Sequence, residues 1–556
     1  MVEMSRKALL VLWGKRAGSA LLLGIALSFV VLVTYLPHMD TSEGRVNFSG
    51  AIENPSTEEP WSRFYGAYAG WANGTRDDYE YPMHVDSNVH WTRMAALQRE
   101  DTLQYRDPYS WQERGELTLS LKGQIHESGF HIAFAQFQEI TGVPFLQLIR
   151  FAPALFAALS AWLVWAALRP WPGAPLAAAF VALVPTTPRF LGPGFFVPIG
   201  IGLAWLAVAL VVAPHVRRDG KTLLLASLLG VWAFFIHLII GFAFLLALIM
   251  VMLPGVREGR AQVPLLLGGL LVPFLVLYDG FAPDIEAEAE VVNFLPIDFT
   301  VFDQLGVPYL VLWVIGCSLV FLLPVRNAAR TPLIGATLTS VVMMAFIVSN
   351  LVFDLDRYAL YDRWHQPFAL MSAVPVAYGI LGGLSLVGAF VLFLRDLYQE
   401  KRWAMPADRL KSVLVFWGVV LTPLLAVAVV TDGVERHLNE PYYRILDDED
   451  WVMFWGARDL GPEYEVFLSH PWKAPVYNAL TGMRPYSWLD PGYPPNNQAA
   501  WIEYQREKHA DPVWLFERDL AVIFQQPAPP GEWYEPLPAG GWVVDKDTAR
   551  ALFSSG

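Results

Sequence analysis

Long apolar segments alternate along this chain with short segments rich in charge, proline and glycine. A helix that spans a bilayer needs about 20 mostly apolar residues, and proline, glycine and charged clusters mark where such helices end. The pattern predicts about eleven spanning helices, of which the third and fifth are short, so the number could differ by two. The runs lie near 18–36, 149–168, 174–187, 195–213, 222–235, 236–253, 263–278, 307–324, 332–352, 367–394 and 411–430.

The charge of the connecting segments predicts how these helices are oriented. Basic residues precede the first run, and alternation of the helices places "PHVRRDGK" and "PVRNAARTP" on the same side as that N-terminal segment. The segment "DGFAPDIEAEAEVVNFLPIDFTVFDQLG", with seven acidic residues and no basic one, falls on the opposite side. Because cytoplasmic loops carry an excess of Lys and Arg, the N-terminus is predicted to be cytoplasmic and the C-terminal region extracytoplasmic.

This threading divides the chain into four predicted parts in a multi-pass protein of the plasma membrane. Residues 1–36 form a cytoplasmic tail and the first helix, and 37–148 form an extracytoplasmic loop. Residues 149–431 form the helix bundle, and 432–556 form an extracytoplasmic C-terminal domain.

Composition excludes several classes of function. Hydrophobic residues make up 54% of the chain and charged residues 16%, which does not describe an ordinary soluble enzyme. The net charge of −13 argues against a nucleic-acid partner, and the single cysteine, Cys317, allows no intramolecular disulfide. The sequence contains no P-loop, "HExxH" or "GxSxG" motif, so nucleotide hydrolysis, zinc proteolysis and serine esterase chemistry lack their residues.

The first predicted outer loop concentrates ionisable residues close to the membrane. It reads "VDSNVHWTRMAALQREDTLQYRDPYS" and, before the second helix, "GFHIAFAQFQEITGV". This order of an acid, a histidine and an arginine resembles the first outer loop of GT-C membrane glycosyltransferases. It is most similar to archaeal oligosaccharyltransferase catalytic subunits, whose Asp-Ser-x-x-His-x-x-Arg sequence matches Asp86, Ser87, His90 and Arg93 here.

The resemblance implies a GT-C-like helix bundle with a catalytic first loop and a mixed α/β extracytoplasmic C-terminal domain. The segment "VFLSHPWKAPVYNALTGMR" looks like a strand and the following helix of that domain. Two departures limit what the resemblance implies. The acceptor-sequon motif Trp-Trp-Asp-Tyr-Gly is replaced by the residues 470–474, "HPWKA", and the second outer loop has Arg189 where an Asp-x-Asp-type metal pair would stand.

The resemblance assigns roles to particular residues. Asp86 is the leading candidate for the catalytic carboxylate or a metal ligand, and His90 is a second catalytic candidate. A divalent cation, Mg²⁺ or Mn²⁺, is the cofactor that the resemblance allows, with Asp86 as a ligand. Arginine binds phosphate through its bidentate fork, so the donor phosphate is assigned to basic residues near the outer helix ends. These donor-side residues are Arg93, Arg189, Arg357, Arg363 and His365, and the acceptor-side residues are Trp472 and Lys473.

Two further histidines are given structural roles at this point. His237, in "WAFFIHLIIGFAF", is predicted to lie in the middle of the membrane and to form a hydrogen bond between helices. His131, ahead of "ITGV", is predicted to pack the first loop onto the bundle.

These observations predict a membrane glycosyltransferase that takes a sugar or oligosaccharide from a polyprenyl-phosphate-linked donor. The acceptor is a glycan, a lipid or a protein at the outer face. Two alternatives stay open: a transporter or flippase for polyprenyl-linked glycans, and a degenerate, non-catalytic scaffold that binds glycan. A transporter is expected to have charged or broken helices at the bilayer midplane, whereas the polar groups here crowd the outer loops.

Overall fold

The structure is a computed structural model that describes the larger part of the helix bundle and parts of the loops. The described residues of the first half are 6–38, 46–47, 85–100, 127–186, 192–216 and 220–252. In the second half they are 305–322, 327–353, 364–400 and 424–436, followed by short segments between 443 and 551.

Most of the described residues are helical. We number fifteen α-helices among them, and the bounds of fourteen are given first. They are α1 (Arg6–Tyr35), α2 (Val85–Glu100), α3 (Ser128–Thr141), α4 (Phe145–Leu168), α5 (Ala174–Phe180), α6 (Pro198–Val216), α7 (Gly220–Ile236), α8 (Leu238–Met252), α9 (Val307–Leu322), α10 (Arg330–Phe353), α11 (His365–Glu400), α13 (Asp448–Gly456), α14 (Ala474–Thr481) and α15 (Pro512–Glu517). Residues 424–436 form α12. Each predicted apolar run coincides with a helix wherever the structure describes it, and the run 263–278 lies outside the described residues.

Four helical segments are long and apolar enough to cross a membrane: Ala17–Tyr35, Phe145–Leu168, Pro198–Val216 and Arg330–Val348. Shorter apolar helices are Ala174–Leu183, Lys221–Ile236, Leu238–Met252 and Val307–Leu322. The prediction of about eleven spans therefore stays a prediction, as do the four domain limits.

Small residues let the helices of the bundle approach closely. Helix α9 packs along α11, where Gly316 meets the backbone of the facing helix at Pro375 and Gly379. A Cβ atom on Gly316 would overlap the carbonyl group of Pro375. Such contacts are typical of membrane helices, because helices surrounded by lipid associate through close packing rather than through the hydrophobic effect.

Contacts between helix ends agree with the predicted alternation. His38, just after α1, has Nε2 at 2.8 Å from the carbonyl oxygen of Gly194, in the segment before α6. At the opposite ends, the Asn327 amide donates to the carbonyl of Pro170 at 2.9 Å. The first pair joins two segments that threading places outside, and the second joins two that it places inside. Which side faces the cytoplasm stays a prediction from the loop charge.

A small sheet forms the centre of the C-terminal region. Its five strands are β3 (Val466–Leu468), β4 (Arg484–Pro485), β5 (Leu520–Ile523), β6 (Tyr534–Pro536) and β7 (Trp542–Val544), and they lie in the order β4-β3-β5-β7-β6. Strand β3 is parallel to β4 and β5, whereas β7 is antiparallel to β5 and β6. The predicted strand and helix after residue 465 are confirmed as β3 and α14. Two further strands, β1 (Val46–Asn47) and β2 (Tyr443–Arg444), pair separately with each other.

Helix α2 of the first loop packs directly against α14 of the C-terminal region. The Thr92 hydroxyl donates to the carbonyl of Pro475 at 2.5 Å, near the start of α14. Near its end, the Arg99 guanidinium donates to the carbonyl of Asn478 at 3.0 Å. The same carbonyl accepts the Gly482 N–H at 2.8 Å, and a cation is favourable close to a helix C-terminus. The two bonds hold α2 and α14 side by side.

A row of stacked rings makes the same junction on another face of α2. Trp91 stacks on Phe145 at 4.6 Å and on Trp451 at 6.2 Å between ring centroids. Trp451 stacks in turn on Trp455 at 5.7 Å, and the Arg458 guanidinium lies 4.3 Å from the Trp455 ring. Aromatic pairs at these separations attract each other beyond the area they bury. The loop helix is thus fixed between the bundle and the C-terminal region.

Candidate functional site

A buried polar cluster lies where α2, α3 and the junction of α7 with α8 meet. His90 Nδ1 is 2.9 Å from His131 Nε2, so one imidazole donates a hydrogen bond to the other. His90 Nδ1 also lies 3.8 Å from Glu127 Oε2, and His237 Nε2 lies 3.9 Å from Glu127 Oε1. All four side chains are buried: His131 is fully buried, and the other residues are 5 to 9% exposed. We call these four residues the histidine cluster.

The local geometry of Glu127 is what turns its side chain and α3 toward this point. Glu127 precedes α3 with φ 58° and ψ 13°, in the left-handed region. Its carbonyl accepts hydrogen bonds from Phe130 N–H at 3.0 Å and His131 N–H at 3.2 Å, which start the helix. A residue with a Cβ atom adopts this conformation only at a cost, so the surrounding contacts must enforce it. Gly129 follows, and its Cβ position lies 2.9 Å from the Cβ of Phe235 in α7, so the two helices nearly touch.

His237 lies at a sharp bend rather than inside a spanning helix. Phe234 and Phe242 are eight residues apart, about 12 Å along a straight helix, yet their ring centroids are 5.4 Å apart. The chain therefore turns at His237, the residue between α7 and α8. The bend brings this side chain to Glu127 of the first loop, and the predicted position in the middle of the membrane stays a prediction. The separate predicted runs 222–235 and 236–253 already imply a reversal of the chain here, but the sequence does not indicate that the reversal brings His237 to Glu127.

Helix α2 carries the residues that resemble the glycosyltransferase loop. Asp86 belongs to its first turn, one turn before His90, and its side chain lies outside what the structure describes. Arg93, one turn after His90, is 2% exposed. The Ser87 hydroxyl lies 3.5 Å from the carbonyl of Phe196, in the segment that leads into α6. Asn88 is fully buried, and its amide oxygen and nitrogen make no hydrogen bond within the described residues.

The other residues predicted to bind the donor phosphate are only partly described. His365 is fully buried at the start of α11, beside the almost buried Trp364. Arg189, Arg357 and Arg363 lie outside the described residues, and their assignment stays a prediction.

On the predicted acceptor side, Lys473 forms an ion pair. Its Nζ lies 2.7 Å from Asp450 Oδ1, with both side chains nearly buried. His470 lies close by, and burial, together with the Lys473 ammonium, holds its pKa well below the ordinary value. Trp472 lies outside the described residues, so its predicted role is untested.

Sequence reasoning missed Glu127 and gave His131 a packing role. The structure shows both in one group, in which His90, Glu127 and His131 each offer a ligand atom and these atoms all lie within 4.8 Å of one another. Three atoms so close can bind a single metal ion. The sequence holds only a weak signal: Glu127 and His131 are four residues apart, a spacing that places two side chains on one face wherever the segment is helical.

No family model and no curated protein matches this sequence. The chain is similar to the solved structure of the archaeal oligosaccharyltransferase AglB from Archaeoglobus fulgidus in complex with an inhibitory peptide and a dolichol-phosphate. That match has 14% identity, covers 92% of this chain and 69% of that chain, and has a TM-score of 0.46. ArnT from Cupriavidus metallidurans in the apo state matches with 12% identity over 96% of this chain and 98% of that chain, at a TM-score of 0.46. Both matches are too weak to assign a function to this chain, so its function is proposed from the residues of the site.

Proposed function

We propose that this protein is a membrane glycosyltransferase that transfers a sugar from a polyprenyl-phosphate-linked donor to an acceptor at the outer face of the membrane. The observation that carries the proposal is the position of α2. This helix holds Asp86, His90 and Arg93 at successive turns, and it lies between the apolar bundle, where a lipid donor would enter, and the C-terminal sheet.

The chemistry of glycosyl transfer requires groups of the kind that α2 presents. The acceptor must lose a proton as it attacks the sugar carbon, and the departing lipid phosphate must have its negative charge compensated. Asp86 is proposed as the base that takes this proton. His90, held by its hydrogen bond to His131, is proposed to orient the reacting groups.

Arginine residues supply the charge for the phosphate in this proposal. Arg93 lies on the same helix, and its guanidinium is removed from water, which strengthens its interaction with an anion. Arg189, Arg357, Arg363 and His365 are proposed to complete the donor site from the neighbouring outer segments. The Asn88 amide, which has no hydrogen-bond partner among the described residues, is proposed to offer a donor and an acceptor to a sugar hydroxyl, because a buried amide favours a ligand that satisfies it.

The acceptor is proposed to approach from the C-terminal side. Helix α14 contacts α2 through Thr92, and Lys473 directly precedes α14, so Lys473 is proposed to contact the acceptor next to the catalytic helix. Trp472 is proposed to contact the acceptor as well. The ion pair of Lys473 with Asp450 holds that segment in place. The acceptor class stays open among a glycan, a lipid and a protein.

Transfer of labelled sugar from polyprenyl phosphate, in membranes with matched amounts of each variant, tests the proposal. Asp86→Asn keeps the side-chain shape but removes the charge, so turnover should fall about 10²-fold or more, the usual scale for a lost acid–base group. His90→Ala should cost less, because water can partly replace an orienting imidazole. Glu139→Gln, an exposed carboxylate of α3, is the control and should leave turnover unchanged.

Wild-type turnover in Asp86→Asn would overturn the catalytic assignment. If the wild-type protein transfers no sugar yet moves a labelled polyprenyl lipid between leaflets, the transporter alternative replaces the enzyme.

A further inference from the structure

We infer that His90, Glu127 and His131 form a binding site for a transition-metal ion of the Zn²⁺ type. This site is distinct from the Asp86 carboxylate site that the sequence resemblance allows for Mg²⁺ or Mn²⁺. Metal binding would replace the hydrogen bond between His90 and His131, because the same two nitrogen atoms would bind the ion. The inference follows from the geometry and chemistry of the three side chains and does not require the proposed transfer reaction.

The spacing of the ligand atoms fits a single ion. Zn²⁺ binds imidazole nitrogen and carboxylate oxygen at about 2.0–2.2 Å, so two ligands of a tetrahedral ion lie about 3.3–3.6 Å apart. The observed separation between His90 Nδ1 and His131 Nε2 is 2.9 Å, and that between His90 Nδ1 and Glu127 Oε2 is 3.8 Å. These two values bracket the required one, and all three ligand atoms lie within 4.8 Å of one another, so binding an ion requires side-chain shifts of at most about an ångström.

The ligand set selects the class of metal. Two imidazoles and one carboxylate suit Zn²⁺ and related ions, whereas Mg²⁺ and Mn²⁺ prefer carboxylate, carbonyl and water oxygen. A site with two His and one Glu also leaves a fourth position open, as in catalytic zinc sites. The ion would therefore present one exchangeable position to water or another oxygen ligand.

Burial gives an independent reason to place a cation here. Glu127 is only 9% exposed, and a buried carboxylate is costly unless a positive charge compensates it. His131 is fully buried and His90 is 5% exposed. A bound cation would compensate this carboxylate while leaving the imidazoles of His90 and His131 neutral, the form in which imidazole binds a metal; without an ion, a proton on His90 or His237 would have to supply the charge.

His237 completes the arrangement as a positioning residue. Its Nε2 lies 3.9 Å from Glu127 Oε1, the oxygen that does not face His90. Groups that contact a metal-binding carboxylate from behind fix its orientation, and their loss typically weakens metal binding by about 10- to 100-fold. The bend between α7 and α8 thus has a role in this site, since it places His237 beside the carboxylate.

Metal content of the purified, full-length protein in detergent tests the inference. The protein is first stripped with a chelator and then given Zn²⁺ or Co²⁺ alone. We expect one ion per chain, a visible Co²⁺ absorption band typical of low coordination number, and no displacement of the ion by excess Mg²⁺. No donor or acceptor is present, so failure of the glycosyltransferase proposal would not affect the result.

Variants locate the bound ion. His131→Ala and Glu127→Gln should each weaken binding more than 10-fold, and His237→Ala should weaken it about 10- to 100-fold. His215→Ala, an exposed histidine at the end of α6, is the matched control and should bind as the wild type does. Binding of no ion by the wild type, displacement by Mg²⁺, or unchanged binding in a correctly folded His131→Ala variant would each overturn the inference. Metal binding by the wild-type protein tests the inference even if a variant fails to fold.

Discussion

The left-handed backbone of Glu127, just before α3, predicts that a glycine substitution is stabilising there, whereas glycine within α3 is destabilising. Glu127→Gln and Glu127→Gly both remove the carboxylate, so the difference between these two variants isolates the backbone term. At φ 58° a side chain costs about 1–2 kcal/mol that glycine avoids. Glycine also lowers the free energy of unfolding by about 0.4–1 kcal/mol, because it makes the unfolded chain more flexible. The glycine variant should therefore be more stable than the glutamine variant by about 0.8 kcal/mol, the difference between the midpoints of these two ranges, about 1.5 and about 0.7 kcal/mol.

Glu139 provides the control, because it is an exposed residue within α3 itself. There glycine should be less stable than glutamine by about 0.5–1 kcal/mol, the usual cost in a helix interior. The sign of the glycine effect should thus reverse between positions 127 and 139.

Hydrogen exchange of the backbone amides of α3 is the appropriate assay, since it reports local opening without requiring two-state unfolding of a membrane protein. A difference of this size corresponds to about a 2- to 5-fold change in the exchange rate. Slower exchange is expected for Glu127→Gly than for Glu127→Gln, and faster exchange for Glu139→Gly than for Glu139→Gln. A glycine that accelerates exchange equally at both positions would refute the strained backbone at Glu127.

Three further predictions concern packing, pH and topology. Gly316→Ala should destabilise the bundle by about 1–3 kcal/mol through overpacking against α11, read as a lower thermal midpoint, whereas Gly24→Ala, which meets nothing within 4 Å, should not. Because the pKa of His470 is lowered in the folded protein, the unfolded chain binds more protons below about pH 6.5. Stability should consequently fall as the pH drops below that value, and His470→Gln should flatten the dependence of the thermal midpoint on pH. In a Cys317→Ala background, Asn496→Cys should react with an impermeant thiol reagent in intact cells, and labelling only after lysis would contradict an outside C-terminal region.

The positions of the helices could be predicted from the sequence for a simple physical reason. Lipid offers no hydrogen bonds, so an apolar run must satisfy its backbone internally, and a helix does this residue by residue. The runs at 149–168 and 195–213 therefore became α4 and α6 with little freedom for another outcome. Strand β3 and helix α14 followed similarly, because a short apolar strand and a helix ended by a glycine are local patterns.

The histidine cluster was decided by tertiary structure. His237 is separated by more than a hundred residues from Glu127 and His131, and only the bend between α7 and α8 and the close approach at Gly129 bring it to the first loop. Such contacts cannot be predicted from the local sequence, because they depend on how several helices pack together. The sequence by itself determined which segments are apolar enough to form membrane helices and which loop carries the ionisable groups. Packing determined which of those groups meet, because a side chain's partners are set by the whole bundle rather than by its neighbours in the chain.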